Sequence, residues 1–591
     1  MKIFCFRLFY FLLFLFQSQF CFSQTSVQGV VKDLKTKSPL PFCAVAVRGS
    51  DRGCITNEEG VFKITVDAER DTLAFSYVGY KSRMIPASSL VEYPAIFLEG
   101  RSMDLKEVTV HAGDDYLYEI MDRCRKKILE SKLQIAKIYF QLETEIQNKP
   151  VEMLEAYYNG DVIRGAIENL NIKNGRIGLA EFEHGSFVNI NTSKAISSLN
   201  LTKRYDFLPS VPLQFTKSKL RKNYSVKILT EFSDENIFHL EFAPRENASE
   251  NFSGEIWIDK KTYSILKINL EIKNSSVYPF LPLWQGDSLS NINMNISESY
   301  SMNGNKSFLN HVSFNYQLEY IDSAHKNGSV STGHSRNINV TGILHFYDYE
   351  KPFTVPYFKY DTNESDYRKI LSLPDNESFW KNNTRLVFTE KQNRVLEFFA
   401  NHGRVINYGR KLFNGSPDKF SFEFNSFIHW SDSTRLQLSK NNLDSILRKN
   451  APTEKSPQTK SEMYNLVAQL FLDVDSSDIS VQYLSATIFD ATQSFYNLPE
   501  EPVTNCFINI YFDICEIERR KMEKILSVHM YTLAQIDSVY RQTLEALNEK
   551  TERYFKEVQR GSNGTALKNW NTYVMEELNI DNFRILGVQK K

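Results

Sequence analysis

The chain has 591 residues, of which 42% are hydrophobic and 24% are charged, which is the composition of a globular protein rather than of a disordered or fibrous one. At roughly 100–200 residues per domain, a chain of this length contains several domains. Its 70 basic and 71 acidic residues leave no excess of positive charge, and no basic run is interleaved with aromatic residues. The sequence therefore argues against binding to nucleic acid.

Residues 1–23 have the pattern of a secretory signal peptide. Lys2 and Arg7 precede an apolar run at residues 8–16, and small residues follow at Cys21 and Ser23, after which we expect cleavage. The apolar run is shorter than the roughly 20 residues of a membrane-spanning helix, and no later segment has 18 uninterrupted apolar residues. We therefore expect an exported protein, periplasmic or outer-membrane-associated, with no transmembrane span in the mature chain.

Residues 24–100 alternate between apolar and polar side chains in short runs that end at Gly, Pro, Asp or Asn. This period of two predicts an antiparallel β-sandwich of the seven-strand type. The clearest unit is GCITNEEGVFKITV at residues 53–66. There Asn57 can bond its own backbone and Gly60 can take a positive φ, so that Phe62 returns to the core.

The cysteines do not form a disulfide framework. Five remain after removal of the signal, an odd and sparse set without CxxC spacing. We expect Cys43 and Cys515, which stand in apolar stretches, to be small buried hydrophobic residues.

Several spaced motifs in the first domain carry a family resemblance. They are VxGxVxD at 27–33, PL at 39–40, VxVxGS at 45–50, Gly53, TNxxGxF at 56–62 and LxFSYVGY at 73–80, followed by LKEVTV at 105–110. Together they resemble the carboxypeptidase-regulatory-like domain, a transthyretin-type sandwich, as it occurs in exported Bacteroidetes proteins. The resemblance implies an accessory domain of a zinc carboxypeptidase or an N-terminal extension of a TonB-dependent outer-membrane receptor.

The rest of the chain lacks the sequence features expected of either a zinc carboxypeptidase or a TonB-dependent receptor. A zinc peptidase of this type needs a His followed three residues later by a Glu. None of the ten His residues has a Glu at that position, and His111 with Asp114 is a near miss. A receptor barrel normally closes on an aromatic residue, whereas this chain ends in VQKK after a helical region.

Residues 101–136 are predicted to form a linker and an amphipathic helix, and residues 137–346 an antiparallel β-rich domain. The hairpin at 254–272 sets Leu266, Ile268 and Leu270 against polar neighbours, which predicts a sheet with one buried face. This hairpin alone is similar to the half-barrel of periplasmic lipoprotein carriers. That similarity implies a concave apolar face able to hold an acyl chain.

A loop at residues 278–287, YPFLPLWQGD, interrupts the sheet pattern. Its aromatic residues Tyr278, Phe280 and Trp284 are candidate ligand contacts, able to stack on a sugar or to cover a hydrophobic opening. The alternative is a proline-rich crossover packed against the sheet.

After a linker at 347–374, residues 375–591 are predicted to form an α-helical domain. Thr389 is a candidate helix cap, residues 506–526 suit a central helix, and an amphipathic helix of about seven turns follows from Leu533. DVDSSD at 473–478 is interpreted as a helix end.

The sequence contains no recognisable catalytic, nucleotide-binding or metal-binding motif. No GxSxG, P-loop or metal spacing is present, so no catalytic, cofactor or metal residue is assigned. The acidic pairs Glu143/Glu145, Asp473/Asp475 and Glu516/Glu518 could serve as acid and base, but chance pairs are expected in a chain this charged. Six tripeptides match D-[ST]-[AILVMT], the O-glycosylation pattern of exported Bacteroidetes proteins. They begin at Asp71, Asp287, Asp322, Asp432, Asp444 and Asp537.

The sequence thus predicts a multidomain α+β protein with an N-terminal β-sandwich, a central antiparallel β domain and a C-terminal helical domain. The leading hypothesis is a non-catalytic cell-envelope protein that binds or scaffolds, with an envelope protein or a glycan as partner and no cofactor. The alternative is a carrier of lipid or another apolar ligand, and a divergent hydrolase ranks third.

Overall fold

The computed structural model describes residues 24–50, 52–67, 69–90, 93–100, 115–182, 185–229, 236–282, 286–304, 306–322, 334–360, 364–406, 427–436, 464–476, 481–491, 493–496 and 501–588. The predicted signal peptide and the LKEVTV motif lie outside these residues, as do Trp284 and Asp444.

The N-terminal segment folds as the predicted sandwich. One sheet has the order β4-β1-β7 and the other the order β3-β2-β5-β6. Val31, Val45, Phe62 and Phe75 are fully buried between the sheets, as the period of two requires. The strands are β1 (Gln24–Asp33), β2 (Ala44–Val47), β3 (Gly53–Ile55), β4 (Val61–Asp67), β5 (Thr72–Ser76), β6 (Arg83–Pro86) and β7 (Ala95–Leu98).

The turn between β3 and β4 has the predicted chemistry. The Asn57 side-chain oxygen accepts hydrogen bonds from the backbone N–H groups of Glu59, at 3.0 Å, and Val61, at 2.9 Å. Gly60 has a φ of 74°, where a Cβ would lie 2.6 Å from the Val31 carbonyl oxygen. Asn57 itself is only 1% exposed, whereas Glu58 and Glu59 at the tip of the hairpin are exposed.

An antiparallel sheet dominates the middle of the chain. Its strand order is β11-β10-β9-β8-β18-β17-β16-β15-β14-β13-β12, and β19 (Gly403–Ile406) pairs with β10. The strands are β8 (Gln134–Ile146), β9 (Lys149–Ile163), β10 (Ala166–Phe182), β11 (Gly185–Ser186), β12 (Tyr224–Ile228), β13 (Ile237–Pro244), β14 (Ser253–Asp259), β15 (Ile265–Ile272), β16 (Ser288–Asn303), β17 (Lys306–Ile321) and β18 (Ser335–Tyr347).

One face of this sheet is filled by protein. Helix α1 (Asp115–Leu129) lays Ile120, Met121, Cys124 and Ile128 on it, as its 3.6-residue period predicts. The short helices α2 (Ile190–Ser197), α3 (Lys217–Asn223) and α4 (Asp366–Ser372) contribute to the same core, for example through Ile370 of α4.

The predicted alternation in β15 holds with one difference. Ile268, Leu270 and Ile272 are buried, but Leu266 is half-buried and Ile265 takes the core position instead. The pairing of β14 with β15 shifts register at Trp257/Ile258, which moves the start of β15 by one residue and thereby exchanges its faces.

The C-terminal region contains the expected helices together with strands. The helices are α5 (Glu377–Asn382), α6 (Glu390–His402), α7 (Pro502–Leu526), α8 (Leu533–Val558), α9 (Gly564–Leu578) and α10 (Asn582–Leu586), and the strands are β20 (Phe427–His429), β21 (Tyr464–Asn465), β22 (Ala468–Ser476), β23 (Val481–Asp490) and β24 (Phe495–Tyr496). Helix α7 is buried along most of its first half, as a central helix should be.

Two interpretations of this region need correction. The segment at 473–478 was expected to end a helix, but Asp473 and Asp475 lie in β22, where Leu470, Leu472 and Val474 alternate into the core. More generally, the helical interpretation of 375–591 omits strands β19 to β24. The nine-residue strand β22 is buried on both faces, so its apolar run does not distinguish a strand from a buried helix.

Cys43 and Cys515 are buried and unpaired, as expected, and so are Cys54, Cys124 and Cys506. Burial raises the pKa of the Cys43 and Cys54 thiols to about 12. Among the described residues, no helix is long and apolar enough to cross a membrane.

Candidate functional site

A cavity with converging polar groups lies between the sandwich and the central sheet. Its volume is about 460 Å³, within the rough 300–1,000 Å³ range of small-molecule sites. The β3–β4 turn contributes Asn57 and Glu58, the sheet contributes its second face, and the chain entering α6 contributes Thr389 and Gln392. The hairpin that marks the first domain in the sequence thus forms one wall of this interdomain cavity.

Strand register aligns the polar side chains of the sheet in two parallel rows. Cross-strand pairing produces this order because every second residue of an antiparallel strand points to the same face. One row is Glu143, Thr341, Asn315, Asn295 and Glu271, and the other is Gln141, Ile343, Ser313, Ser297, Asn269 and Glu255, in which Ile343 is the single apolar member. With neighbouring strands about 4.8 Å apart, the first row extends for about 20 Å.

The N-terminus of α6 supports one end of these rows. Thr389 caps the helix as predicted: its hydroxyl accepts from the Gln392 N–H at 3.1 Å, and the Gln392 side chain accepts from the Thr389 N–H at 2.9 Å. The Gln392 amide also donates to the Gln141 oxygen, at 3.2 Å, and to the Glu143 carboxylate. A local capping box therefore holds two side chains of the cavity in place.

Gln141 retains one unused hydrogen-bonding group. Its side chain is 3% exposed, and its Nε2 atom has no hydrogen-bond partner among the described residues. A buried donor without a partner costs about 1–3 kcal/mol. A ligand oxygen placed in the cavity would remove that cost.

The charges that line the cavity are negative. Its carboxylates are Glu58, Glu143, Glu255 and Glu271, and no lysine or arginine is among the described lining residues. Burial raises the pKa of Glu143. The negative charges of Glu58 and Glu145 raise it further, whereas the hydrogen bond from Gln392 and the positive charge of Lys391 lower it. The Nε2 atom of His239 lies 2.9 Å from the Glu255 carboxylate, within hydrogen-bond distance.

Contacts across the cavity hold the sandwich on the sheet. The Asn57 side-chain amide donates to the Val387 carbonyl at 3.1 Å, and Arg385 donates to the Gly53 carbonyl at 2.9 Å. Ile55 packs in a small cluster with Tyr347 and residues of the chain before α6. The two walls of the cavity are therefore linked by hydrogen bonds and by an apolar contact.

The candidate ligand contacts of the 278–287 loop lie elsewhere. Phe280 is buried, with its ring centroid 4.7 Å from that of Tyr316, and Tyr278 stacks on Phe280 at 5.9 Å. Both rings pack against the core on the filled face of the sheet, and Trp284 lies outside the described residues. The structure does not bring these aromatic residues into the interdomain cavity.

The three acidic pairs named from the sequence lie in different environments, and only one of them reaches the cavity. Asp473 forms a buried ion pair with Lys173, and Glu516 is held by Arg519 and Arg520. Glu143 alone lines the cavity, while Glu145 pairs with Lys391 at 2.7 Å. Among the described residues, no three His, Cys, Asp or Glu side chains are grouped to hold a metal ion.

Sequence reasoning did not find the polar rows. The alternation that predicts the strands also places Asn, Ser, Thr and Glu at these positions, but such residues on one face of an antiparallel sheet usually meet solvent. Asn57, Glu143 and Thr389 were singled out from the sequence, but as a turn residue, a member of a chance acidic pair and a helix cap, and not as parts of one site. What makes the rows a site is the domain that covers them.

Comparison with known proteins agrees with the motifs of the first domain. Residues 27–110 match the family model described as the CarboxypepD_reg-like domain. This part of the chain is therefore a carboxypeptidase-regulatory-like domain. A search of curated proteins found no matching protein.

Three solved structures illustrate the remaining similarities. The MucA/MucB complex of Pseudomonas aeruginosa is 10% identical, with 39% of this chain and 93% of that chain covered and a TM-score of 0.14. A DUF1329 family protein from Desulfovibrio piger is 10% identical, with 42% and 93% covered and a TM-score of 0.16. A protein of unknown function from Bacteroides fragilis is 7% identical, with 55% and 98% covered and a TM-score of 0.11. Scores this low carry no argument about fold or function.

Proposed function

We propose that this is a non-catalytic binding protein of the cell envelope whose ligand lies between the carboxypeptidase-regulatory-like domain and the central sheet. The observation that carries the proposal is the unpartnered Gln141 amide, buried in a cavity that two rows of polar side chains line. Buried polar groups in folded proteins nearly always have partners, and the exceptions call for an explanation. A bound ligand provides that explanation.

The ligand that fits best is uncharged and rich in hydroxyl or amide groups, as a glycan is. The wall offers amide donors and acceptors at Asn269 and Asn295 and a hydroxyl at Ser313, while four carboxylates repel anions. Phe42, which also lines the cavity, supplies an aromatic surface of the kind on which sugar rings stack. A cationic group could also be accommodated, beside Glu58 and Glu143.

The envelope location rests on sequence observations. The predicted signal peptide and the regulatory-like domain both fit an exported protein, periplasmic or outer-membrane-associated. In this proposal the sandwich closes the binding site and assists no peptidase. A scaffolding role, in which a partner protein supplies the hydroxyl or amide groups, uses the same surface.

The carrier hypothesis receives less support along β15. It requires an open apolar concavity on the face of Ile268, Leu270 and Ile272, and these side chains are at most 3% exposed. Protein fills this face, so an acyl chain has no room along it.

The test is native mass spectrometry of the mature protein purified from its own envelope, followed by calorimetric titration with neutral oligosaccharides. We expect a co-purifying mass in the glycan range and binding that weakens about fivefold or more in Gln141→Leu, since one hydrogen bond contributes about 1 kcal/mol. Gln28→Leu, at an exposed strand position of the sandwich, is the matched control. Equal affinity of the two variants for every bound oligosaccharide would refute the proposal.

A further inference from the structure

A second cavity, of about 430 Å³, opens at one end of the central sheet, beneath the C-terminus of α1. It is bounded by the β9–β10 turn at Arg164 and Gly165, by the start of β15, and by the ends of β16 and β17 that face it. It shares no lining residue with the interdomain cavity. It also lies on the opposite, apolar face of the sheet, so the two sites are independent.

The inner wall of this cavity is apolar. Ile128, Val162, Ile265 and Leu309 belong to the main hydrophobic core and also line the cavity. Leu133 lines the entrance and is 56% exposed, so an apolar side chain is available to a ligand there. A hydrocarbon chain placed here would bury apolar surface on both sides, which is favourable at about 25 cal/mol per Å².

The inner end of the cavity carries little charge despite a nearby carboxyl group. Tyr300 lines the cavity and donates a hydrogen bond of 2.5 Å to Glu298, which is 1% exposed. Burial raises the pKa of Glu298 to about 8, so this carboxyl group is mostly protonated at neutral pH. An apolar chain that reaches Tyr300 therefore meets no full charge there.

The rim of the cavity is positively charged. Lys127, Lys132, Arg164 and Lys306 line it, against Glu130 and Glu350. Lys127 pairs with Glu130 at 3.3 Å, whereas no ion pair is recorded for the other three cations within the described part of the chain. Three basic side chains around one apolar opening attract an anionic group at its mouth.

Two hydroxyl groups in the cavity wall lack partners. Ser264 is 2% exposed, and its Oγ atom has no hydrogen-bond partner among the described residues; the same holds for the buried Oγ atom of Ser131. Both residues line the cavity. Each hydroxyl can donate to an oxygen of a ligand headgroup, which would satisfy it.

We propose that this cavity binds a single-chain amphiphilic anion of the fatty-acid type. Its hydrocarbon chain lies between α1 and the sheet against Ile128 and Ile265, and its carboxylate lies at the rim formed by Lys132, Arg164 and Lys306. The site holds one acyl chain at the end of the sheet, where it meets only the first residue of β15, and it does not need the filled face of Ile268, Leu270 and Ile272. It is separate from the glycan-type site, and neither proposal depends on the other.

The experiment is displacement of a fluorescent fatty acid, 11-(dansylamino)undecanoic acid, from the mature full-length protein. The competitors are myristate below its micellar concentration and tetradecanol, which has the same chain without the charge. We expect myristate to displace the probe at least tenfold more effectively than tetradecanol. Equal potency of the two would overturn the assignment of the basic rim.

Variants separate this site from its alternatives. Lys132→Glu combined with Lys306→Glu should weaken myristate binding about tenfold or more, and because both side chains are exposed the protein should still fold. Lys149→Glu, at the opposite end of the β8–β9 hairpin, should leave binding unchanged. Gln141→Leu should also leave myristate binding unchanged, which distinguishes a failure here from a failure at the interdomain cavity.

Two further results would overturn the proposal. One is equal myristate affinity in the double variant and the wild type. The other is binding to anionic phospholipid vesicles without any binding of monomeric myristate, which would make the basic rim a membrane-contact surface instead of a fatty-acid site.

Discussion

The side-chain amide of Asn57 donates a hydrogen bond of 3.1 Å to the main-chain carbonyl of Val387, a residue 330 positions further along the chain. The same side chain accepts two hydrogen bonds that close its own turn. One residue thus shapes the tip of a hairpin and fastens the first domain to the chain that enters α6. The interdomain cavity depends on both roles.

Asn57→Ala should lower the free energy of unfolding by about 2–3 kcal/mol, because three hydrogen bonds are lost at roughly 1 kcal/mol each. Urea denaturation measures this change, and hydrogen exchange at residues 385–388 should increase with it. Glu59→Ala, at an exposed position of the same turn, is the control and should change stability by less than about 0.5 kcal/mol. Equal stability of the two variants would contradict the anchoring role.

Lys173 and Asp473 form an ion pair that joins the central sheet to β22, and both side chains are at most 2% exposed. Lys173→Met should destabilise the protein by about 3–5 kcal/mol, because it leaves the Asp473 carboxylate buried without its partner. The double variant Lys173→Met with Asp473→Leu should recover much of this loss, since two apolar side chains replace two buried charges. Thermal unfolding of both variants tests the prediction, and a double variant less stable than Lys173→Met alone would contradict it.

Glu298 should make the stability depend on pH. Its folded pKa of about 8 lies above the value of about 4.3 in an unfolded chain, so the folded state keeps a proton that the unfolded state loses between these values. The free energy of unfolding therefore falls as the pH rises through this window. Glu298→Gln removes this titration. Its free energy of unfolding, relative to that of the wild type, should therefore rise by at least about 1 kcal/mol between pH 5 and pH 8.

The pH effect is measured as the difference between variant and wild type in urea denaturation. Burial lowers the pKa of His311 and His345 to about 3, so each makes the stability rise with pH up to about pH 6.5, but this contribution is the same in both proteins and cancels in the difference. Glu241→Gln, at an exposed position of β13, is the control and should run parallel to the wild type. A constant difference between Glu298→Gln and the wild type across this range would show that Glu298 does not titrate as described.

Gln141→Leu should separate binding from stability. The substitution removes a buried donor without a partner, so the free energy of unfolding should change by less than about 1 kcal/mol even though the acceptor for Gln392 is lost. Affinity for the bound ligand should nevertheless decrease. A large loss of stability with unchanged affinity would identify Gln141 as a structural residue only.

The features that could be predicted from the sequence alone depend on local interactions. The Asn57 and Gly60 turn, the alternation that buries Phe62 and the Thr389 cap involve residues at most a few positions apart, so their spacing is visible in one dimension. The same holds for the long helices α7 and α8, whose period extends over many turns. Strand β22 was missed although it has nine residues, because both of its faces are buried and its apolar run does not distinguish a strand from a buried helix.

Both candidate cavities arise from contacts between distant residues. Gln141 and Gln392 are 251 positions apart, and the segments around Lys132, Arg164 and Lys306 meet only after the sheet has formed. In the sequence these residues look like ordinary polar positions on strands and turns, because a polar side chain has the same spacing whether it faces solvent or another domain. The amino-acid order therefore specified the elements, the first domain's family and the predicted export signal, whereas the packing of distant segments decided which polar groups are enclosed and left without partners.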